Sequence, residues 1–219
     1  MLCKEGRVAL IAFFFFAFIT PSYFYLITHS VTQLHDWPYL TLGYLVASLL
    51  TFCVPFADVV RNAAFLGALC GAGFTLGISP LPWNNFGWYM VTLAFFHLSE
   101  YILTALYNSE HLSVDSFMIN HSLEYHMAII ASVLEYVMEV WMCPTLKRSK
   151  ISRCVSAIGL VMVIFGELCR KLAMITAKSN FSHIVQYQKV KDHQLVKRGI
   201  YSISRHPSYF GWFYWSVGQ

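Results

Sequence analysis

Long apolar stretches separated by short polar breaks organise the chain. Residues 8–28 contain no charged side chain, and about 20 apolar residues suffice for a helix to cross a bilayer. Further stretches at 39–57, 63–79, 86–107, 122–143 and 153–177 predict five more crossings, and a seventh begins near Pro207. Pro21 predicts a kink in the first helix. The breaks at 58–62 and 80–85 are short, so successive helices are expected to be antiparallel neighbours. The expected fold class is therefore all-α: an integral membrane helical bundle of six spans plus the start of a seventh. Helices one to three fall in residues 1–80, and the remaining core falls in 81–219. No fixed-period repeat, soluble domain or low-complexity linker interrupts the pattern.

Composition agrees. The chain is 57% hydrophobic and 12% charged, with mean hydropathy +0.54; soluble domains carry about 25% charged residues. Lys4 and Arg7 precede an apolar run too long for a signal-peptide core, so that run is expected to stay as an anchor. Lys and Arg favour the cytosolic side, which puts the N-terminus there. Six spans return the chain to the cytosol at Lys178. Residues 178–206 hold six of the fifteen Lys and Arg residues and one acid, Asp192. The connection 144–152, with Lys147, Arg148 and Lys150, falls on the lumenal side by parity and disagrees. A re-entrant third or fifth segment would remove the conflict.

The third stretch carries Gly67-x-x-x-Gly71 and Gly73-x-x-x-Gly77, a spacing that lets helices approach closely within the chain or in a dimer. The six cysteines form no C-x-x-C pair, and His121 and His126 have no metal-ligand spacing, so no metal site is expected. Ionisable residues inside spans are costly. They are His97 and Glu100; Glu124, His126, Glu135 and Glu139; and Glu167, Arg170 and Lys171. Glu167 and Lys171 share a helix face as a candidate ion pair. Interhelical salt bridges and a polar cavity open to the cytosol both account for such residues.

The densest charge lies in HQLVKRGIYSISRHPSYFGWFYW, residues 193–215. Gly199 and Gly211 permit tight turning or close approach, and Pro207 suits the first turn of a helix, with His206 just before it. Free N–H groups at a helix start favour an anionic group. His193, Arg205 and His206 add donors, while Tyr201, Tyr209 and Trp212 add rings that suit a cation. A basic aromatic collar and a site for a polar ligand with a positive centre both fit.

The string H-x-L-V-x-x-G-x-Y-x-x-x-R-H-P-x-Y-x-G-W resembles the C-terminal signature of isoprenylcysteine carboxyl methyltransferases. The likeness is dense from Gly166 to Trp215, through GELCRKLAM, SNFSHIVQ, HQLV and RHPSYFGWFYW. It implies an endoplasmic reticulum membrane enzyme that methylates the C-terminal carboxylate of a prenylated cysteine after CaaX processing. It implies S-adenosylmethionine as methyl donor, leaving as S-adenosylhomocysteine, held by a cytosolic C-terminal segment (178–212) and not by a Rossmann fold. Carried over, the cofactor contacts are Gln186, His193, Gln194, Leu195, Val196, Gly199, Tyr201, His206, Pro207, Ser208 and Tyr209. Leu195 and Val196 suit the adenine, and His206 and Tyr209 the amino-acid or ribose end. Arg170 and Arg205 are the candidates for steering the carboxylate. The family's main carboxylate clamp, an R-x-x-x-E-E-like segment, is expected beyond Gln219, so the chain reads as part of a longer one or as an isoform. Expected partners are farnesylated or geranylgeranylated proteins such as Ras-like GTPases, together with the lipid bilayer; no nucleic acid is expected. An NADPH-dependent sterol reductase using Lys197 and Arg198, a phospholipid methyltransferase, and a non-enzymatic transporter are the competing classes.

Overall fold

The computed structural model describes residues 2–30, 37–147, 149–183 and 194–219. Among them every regular element is helical: α1 (Lys4–Ser30), α2 (Trp37–Leu50), α3 (Ala57–Gly77), α4 (Asn84–Tyr107), α5 (Leu123–Met142), α6 (Pro144–Lys147), α7 (Lys150–Ala177) and α8 (Pro207–Gly218). Short 3-10 turns occur at Ser109–His111, Val114–Phe117, Lys178–Asn180 and Gly199–Ser202. Four stretches are long and apolar enough to cross a membrane: Lys4–Thr28, Ala57–Gly77, Asn84–Tyr107 and Lys150–Asn180. The chain forms two compact units, Leu2–Ile102 and Leu103–Gln219.

Three sequence expectations shift. The second predicted span ends early, at Leu50. The amides of Thr51, Phe52 and Cys53 turn back onto the carbonyls of Ser48, Leu49 and Leu50, and Pro55 disfavours helix at the residue before it. At about 1.5 Å per residue, α2 measures about 21 Å, short of a hydrocarbon core of about 30 Å. The third helix starts at Ala57, so residues 58–62 are its first turns and not a connection. There Arg61 pairs with Asp58 and lies 4.7 Å over the Phe52 ring. An acid in the first turn and an (i, i+3) pair make these polar residues good helix starters. α5, with Glu124, His126, Glu135 and Glu139, is not among the four apolar candidates. Its start is capped by Ser122, whose hydroxyl accepts from the Tyr125 amide at 3.2 Å, while His126 Nδ1 donates to the Ser122 carbonyl at 2.8 Å. Its end is tied to α6 by Lys147, which pairs with Glu139 and sits 4.3 Å over the Tyr136 ring.

In the first unit α1 packs on α3, burying Ala9, Ala12, Phe13 and Phe16 on one helix and Val59, Val60, Ala63, Ala64 and Leu66 on the other. The two glycine pairs serve different neighbours. A Cβ on Gly67 would lie 2.2 Å from the Phe13 carbonyl oxygen, and one on Gly71 would lie 2.7 Å from that of Ala17. α1 runs on through Pro21. Proline has no N–H to give the Ala17 carbonyl one turn back, and the bare face of Gly71 approaches that oxygen. Gly73 and Gly77 turn instead to α4, where a Cβ on Gly87 would meet the Gly77 nitrogen at 2.3 Å. Both small-residue pairs are thus used within the chain. Tyr44 keys α2 onto α1: its hydroxyl is 3.1 Å from that of Thr20, and its ring stacks on Tyr23 at 5.1 Å.

In the second unit α7 and α8 meet backbone to backbone. Gly159 and Gly166 on α7 face Gly218 and Gly211 on α8, each pair seven residues apart. A Cβ on Gly166 would stand 2.4 Å from the Gly211 carbonyl oxygen, and one on Gly159 would stand 2.7 Å from that of Gly218. Val163, Ala173, Met174, Ala177 and Trp215 fill the buried remainder. Where a Cβ meets backbone at such distances, the helices must part. Gly67→Ala is therefore expected to destabilise the detergent-solubilised protein by about 1–3 kcal/mol. Gly43→Ala, with nothing within 4 Å, is expected to be neutral or to stabilise by up to about 1 kcal/mol. Thermal unfolding of the two variants side by side checks this.

Candidate functional site

The glycine contact sets what can stand beside it. Arg170 follows Gly166 by one turn, and a Cβ on Gly211 would lie 2.7 Å from the Arg170 nitrogen. Arg170 is therefore buried, 6% exposed, against the first turn of α8. Its Nη1 donates to Ser208 Oγ at 3.0 Å. Burial pushes the Tyr201 hydroxyl up from its ordinary range, and the nearby Arg170 guanidinium pulls the other way. Tyr201 is thus a neutral phenol at physiological pH. On the same stretch of α7, Lys171 Nζ lies 3.2 Å from Glu167 Oε1, the ion pair expected from their spacing. In a poorly solvated setting such a pair relieves two charges at once.

Pro207 occupies the first helical position of α8 and is buried; His206 is the residue before it. The His206 amide donates to Ser204 Oγ at 3.3 Å, and its carbonyl accepts from the Phe210 amide at 3.1 Å. The His206 and Tyr209 side chains are exposed, their rings edge to face at 6.3 Å. Upstream, Gly199 has φ +59°, the left-handed region that only glycine adopts freely. A Cβ there would also crowd Thr176 Cγ2 at 3.1 Å. The turn so made is closed by Ser202 Oγ donating to the Gly199 carbonyl at 2.7 Å. Gly199 therefore turns the chain, whereas Gly211 admits the neighbouring helix backbone.

The sequence candidates divide into three groups. Arg170, Tyr201 and Ser208 come together, with Pro207 buried beside them. Leu195, Arg205, His206 and Tyr209 are exposed, and Val196 is half-buried. Gln186 and His193 lie outside the described residues. Gln194 is exposed, and its amide donates to Asn180 Oδ1 at 2.7 Å. Sequence reasoning assigned no role to Asn108, Thr176 or Asn180. Only Asn180 stood in a quoted motif, and nothing in spacing marks a lone amide or hydroxyl beside a turn. Among the described residues no group of three potential metal ligands exists. The donors that are present (a guanidinium, hydroxyls and exposed rings beside a helix start) suit an organic ligand bearing a carboxylate, hydroxyls and a cationic centre.

Residues 157–219 match the model of the isoprenylcysteine carboxyl methyltransferase family. The chain is 45% identical, over 99% of its own length and 77% of the other, to protein-S-isoprenylcysteine O-methyltransferase of Xenopus laevis. It is 49% identical to the Homo sapiens enzyme of that name over 78% of its length, spanning 59% of the human protein. A solved structure of a eukaryotic intramembrane Ras methyltransferase superposes with TM-score 0.88 at 34% identity, covering 99% of this chain and 79% of that one.

Removing Arg170 takes a positive charge from beside Tyr201. Arg170→Met is expected to raise the pKa of the Tyr201 hydroxyl further, read by fluorine NMR titration of a fluorotyrosine placed at 201. Ser208→Ala removes only one hydrogen bond. It is expected to cost about 0.5–1.5 kcal/mol in thermal unfolding, less than Arg170→Met.

Proposed function

The chain belongs to the isoprenylcysteine carboxyl methyltransferase family, and on that premise we propose that it methylates the C-terminal carboxylate of prenylated cysteine in CaaX-processed proteins. S-adenosylmethionine, when bound, supplies the electrophilic methyl group. The observation that carries this reading is the buried Arg170, hydrogen-bonded to Ser208 and near enough to Tyr201 to act on its hydroxyl, at the start of the R-H-P-S-Y-F-G-W helix, on an apolar helical scaffold.

The chain's own residues have three tasks. Leu195, Val196, His206 and Tyr209 offer apolar and aromatic surface to the nucleoside, Leu195 being 77% exposed. Gln194, Gly199, Tyr201, Pro207 and Ser208 complete that side of the site, and Gln186 and His193, outside the described residues, are assigned to the cofactor from the motif alone. Arg170 and Arg205 steer the substrate carboxylate. A carboxylate is a poor nucleophile because water solvates it well, so orientation contributes most when the surroundings are dry. Arg170 is suited to that setting: it is buried, and its charge cannot be lost by deprotonation. No covalent intermediate and no metal is needed for an in-line methyl transfer.

The substrate's prenyl chain belongs in lipid and its carboxylate in the polar segment, so the enzyme works at a membrane surface. We assign that surface to the cytosolic face of the endoplasmic reticulum, with the N-terminus on the same side. Four crossings, α1, α3, α4 and α7, bring the chain back to the side on which it began. Six crossings, with α2 and α5 added, do the same. Farnesylated and geranylgeranylated proteins, Ras-like GTPases among them, are the substrates this reading predicts. A sterol reductase would use Lys197 and Arg198, both exposed, to hold a nucleotide phosphate.

Transfer of a labelled methyl group from S-adenosylmethionine to N-acetyl-S-farnesylcysteine by the full-length protein is the expected result. N-acetylcysteine without the prenyl group should accept none. Calorimetry should give binding of S-adenosylhomocysteine and none of NADPH; the reverse would establish the reductase. Arg170→Ala is expected to lower turnover while leaving expression intact. Wild-type turnover in that variant would remove Arg170 from the site.

A further inference from the structure

Two asparagines outside the assigned site hold the two ends of one segment. Asn108 follows the end of α4 and is half-buried; its Nδ2 donates to the carbonyl of Phe181 at 3.1 Å. Asn180 closes the 3-10 turn after α7, and its Oδ1 accepts from the amide of Gln194 at 2.7 Å. Its Nδ2 faces the Ala177 carbonyl at 3.4 Å. The first bond joins positions 73 apart in sequence and the second joins positions 14 apart. Neither is a local turn closing on itself. The start of the segment is also held in an unfavourable shape. Lys178, just after α7, has φ +53°, and the Phe181 amide donates to the Lys178 carbonyl at 3.0 Å. A non-glycine residue keeps such a φ only where its surroundings over-determine it.

We propose that Asn108 and Asn180 are positioning residues, Asn108 holding Phe181 beside Asn180 and Asn180 holding Gln194, and that they so set the placement of the cofactor contacts Gln194, Leu195 and Val196. This rests on the methyltransferase reading of the site. Asn108 fixes where the segment leaves α7. Asn180 fixes where it returns, at the first of the contacts Gln194, Leu195 and Val196. Gly199 then turns the chain against Thr176 towards Tyr201 and α8. Without the clamps those contacts are free to move relative to Arg170 and Ser208, and ordering them on ligand binding costs affinity. The two amides act in opposite chemical senses. At Asn108 the carbonyl of Phe181 demands a donor; at Asn180 the amide of Gln194 demands an acceptor. Aspartate is close to asparagine in shape, accepts, and cannot donate when ionised. It therefore satisfies one clamp and breaks the other while adding the same charge.

The test uses the full-length protein in detergent, with S-adenosylhomocysteine calorimetry, methyl-transfer kinetics and amide exchange. Asn180→Leu and Asn108→Leu are expected to weaken S-adenosylhomocysteine binding about five- to tenfold, the equivalent of one lost hydrogen bond. KM for S-adenosylmethionine should rise with kcat little changed. Asn180→Asp should keep most of the affinity, and Asn108→Asp should lose as much as Asn108→Leu. In the ligand-free protein the Gln194 amide should exchange faster in Asn180→Leu and remain protected in Asn180→Asp. Equal affinity of the two aspartate variants, or wild-type affinity in Asn180→Leu, overturns the proposal. If the leucine variants also lose protection across α7, the aspartate pair decides alone. If the wild-type protein binds no S-adenosylhomocysteine, the functional reading fails, and exchange at Gln194 still decides whether the clamp exists.

Discussion

The approach of α7 and α8 at Gly166 and Gly211 is the constraint from which the rest of the site follows. A single methyl group on either glycine would meet backbone at 2.4–2.5 Å, so no other residue permits this crossing. Because the two main chains touch there, the side chain one turn beyond is packed against the neighbouring helix and is 6% exposed. Arg170 is that side chain, and its burial is a consequence of the glycines and not of its own chemistry. A buried guanidinium requires partners, and the first turn of α8 supplies one in Ser208. Packing in a membrane protein gains little from expelling water, since lipid is as apolar as leucine. Close backbone approach and a few polar contacts then carry the association. The α1–α3 contact through Gly67 and Gly71 repeats the same solution in the other unit.

Polar side chains make the connections that apolar packing cannot. The segment after α7 runs through a strained Lys178, a left-handed Gly199 and a proline-started helix. Turns at Lys178, Gly199 and Pro207 shape its described parts, and hydrogen bonds tie Phe181 to Asn108 at the end of α4, Gln194 to Asn180, and Ser208 to Arg170 of α7. Any site built on such a segment depends on loop geometry, and its accuracy depends on how firmly those loops are tied to helices.

Much of the site was legible because it is local. Pro207 at the first helical position, His206 before it, Gly199 in a left-handed turn and the Glu167–Lys171 pair all follow from spacings of four residues or fewer. Helix ends were harder. Hydropathy continued α2 through Phe52 and Val54, but Pro55 and the turn at Thr51 stop it at Leu50. Hydropathy also read Asp58 and Arg61 as a connection, whereas their charges pair across one helical turn and start α3. Both errors have one cause: an apolar average cannot see capping, ion pairs or the restriction ahead of proline.

The sequence by itself determined that this is a multi-span helical membrane protein and which family it belongs to, since the length of apolar runs and the spacing of a dense motif are one-dimensional properties. It also determined where the chain must turn, because proline and glycine restrict or free single residues. Only the tertiary structure decided that Gly211 meets Gly166, that Arg170 is consequently buried against Ser208, and that Asn108 reaches Phe181. Each of these contacts joins residues at least 38 positions apart, and no local preference selects a partner at that distance. The choice is made by which helices pack, and the packing is made by the absence of a Cβ at a few glycines whose partners lie elsewhere in the chain.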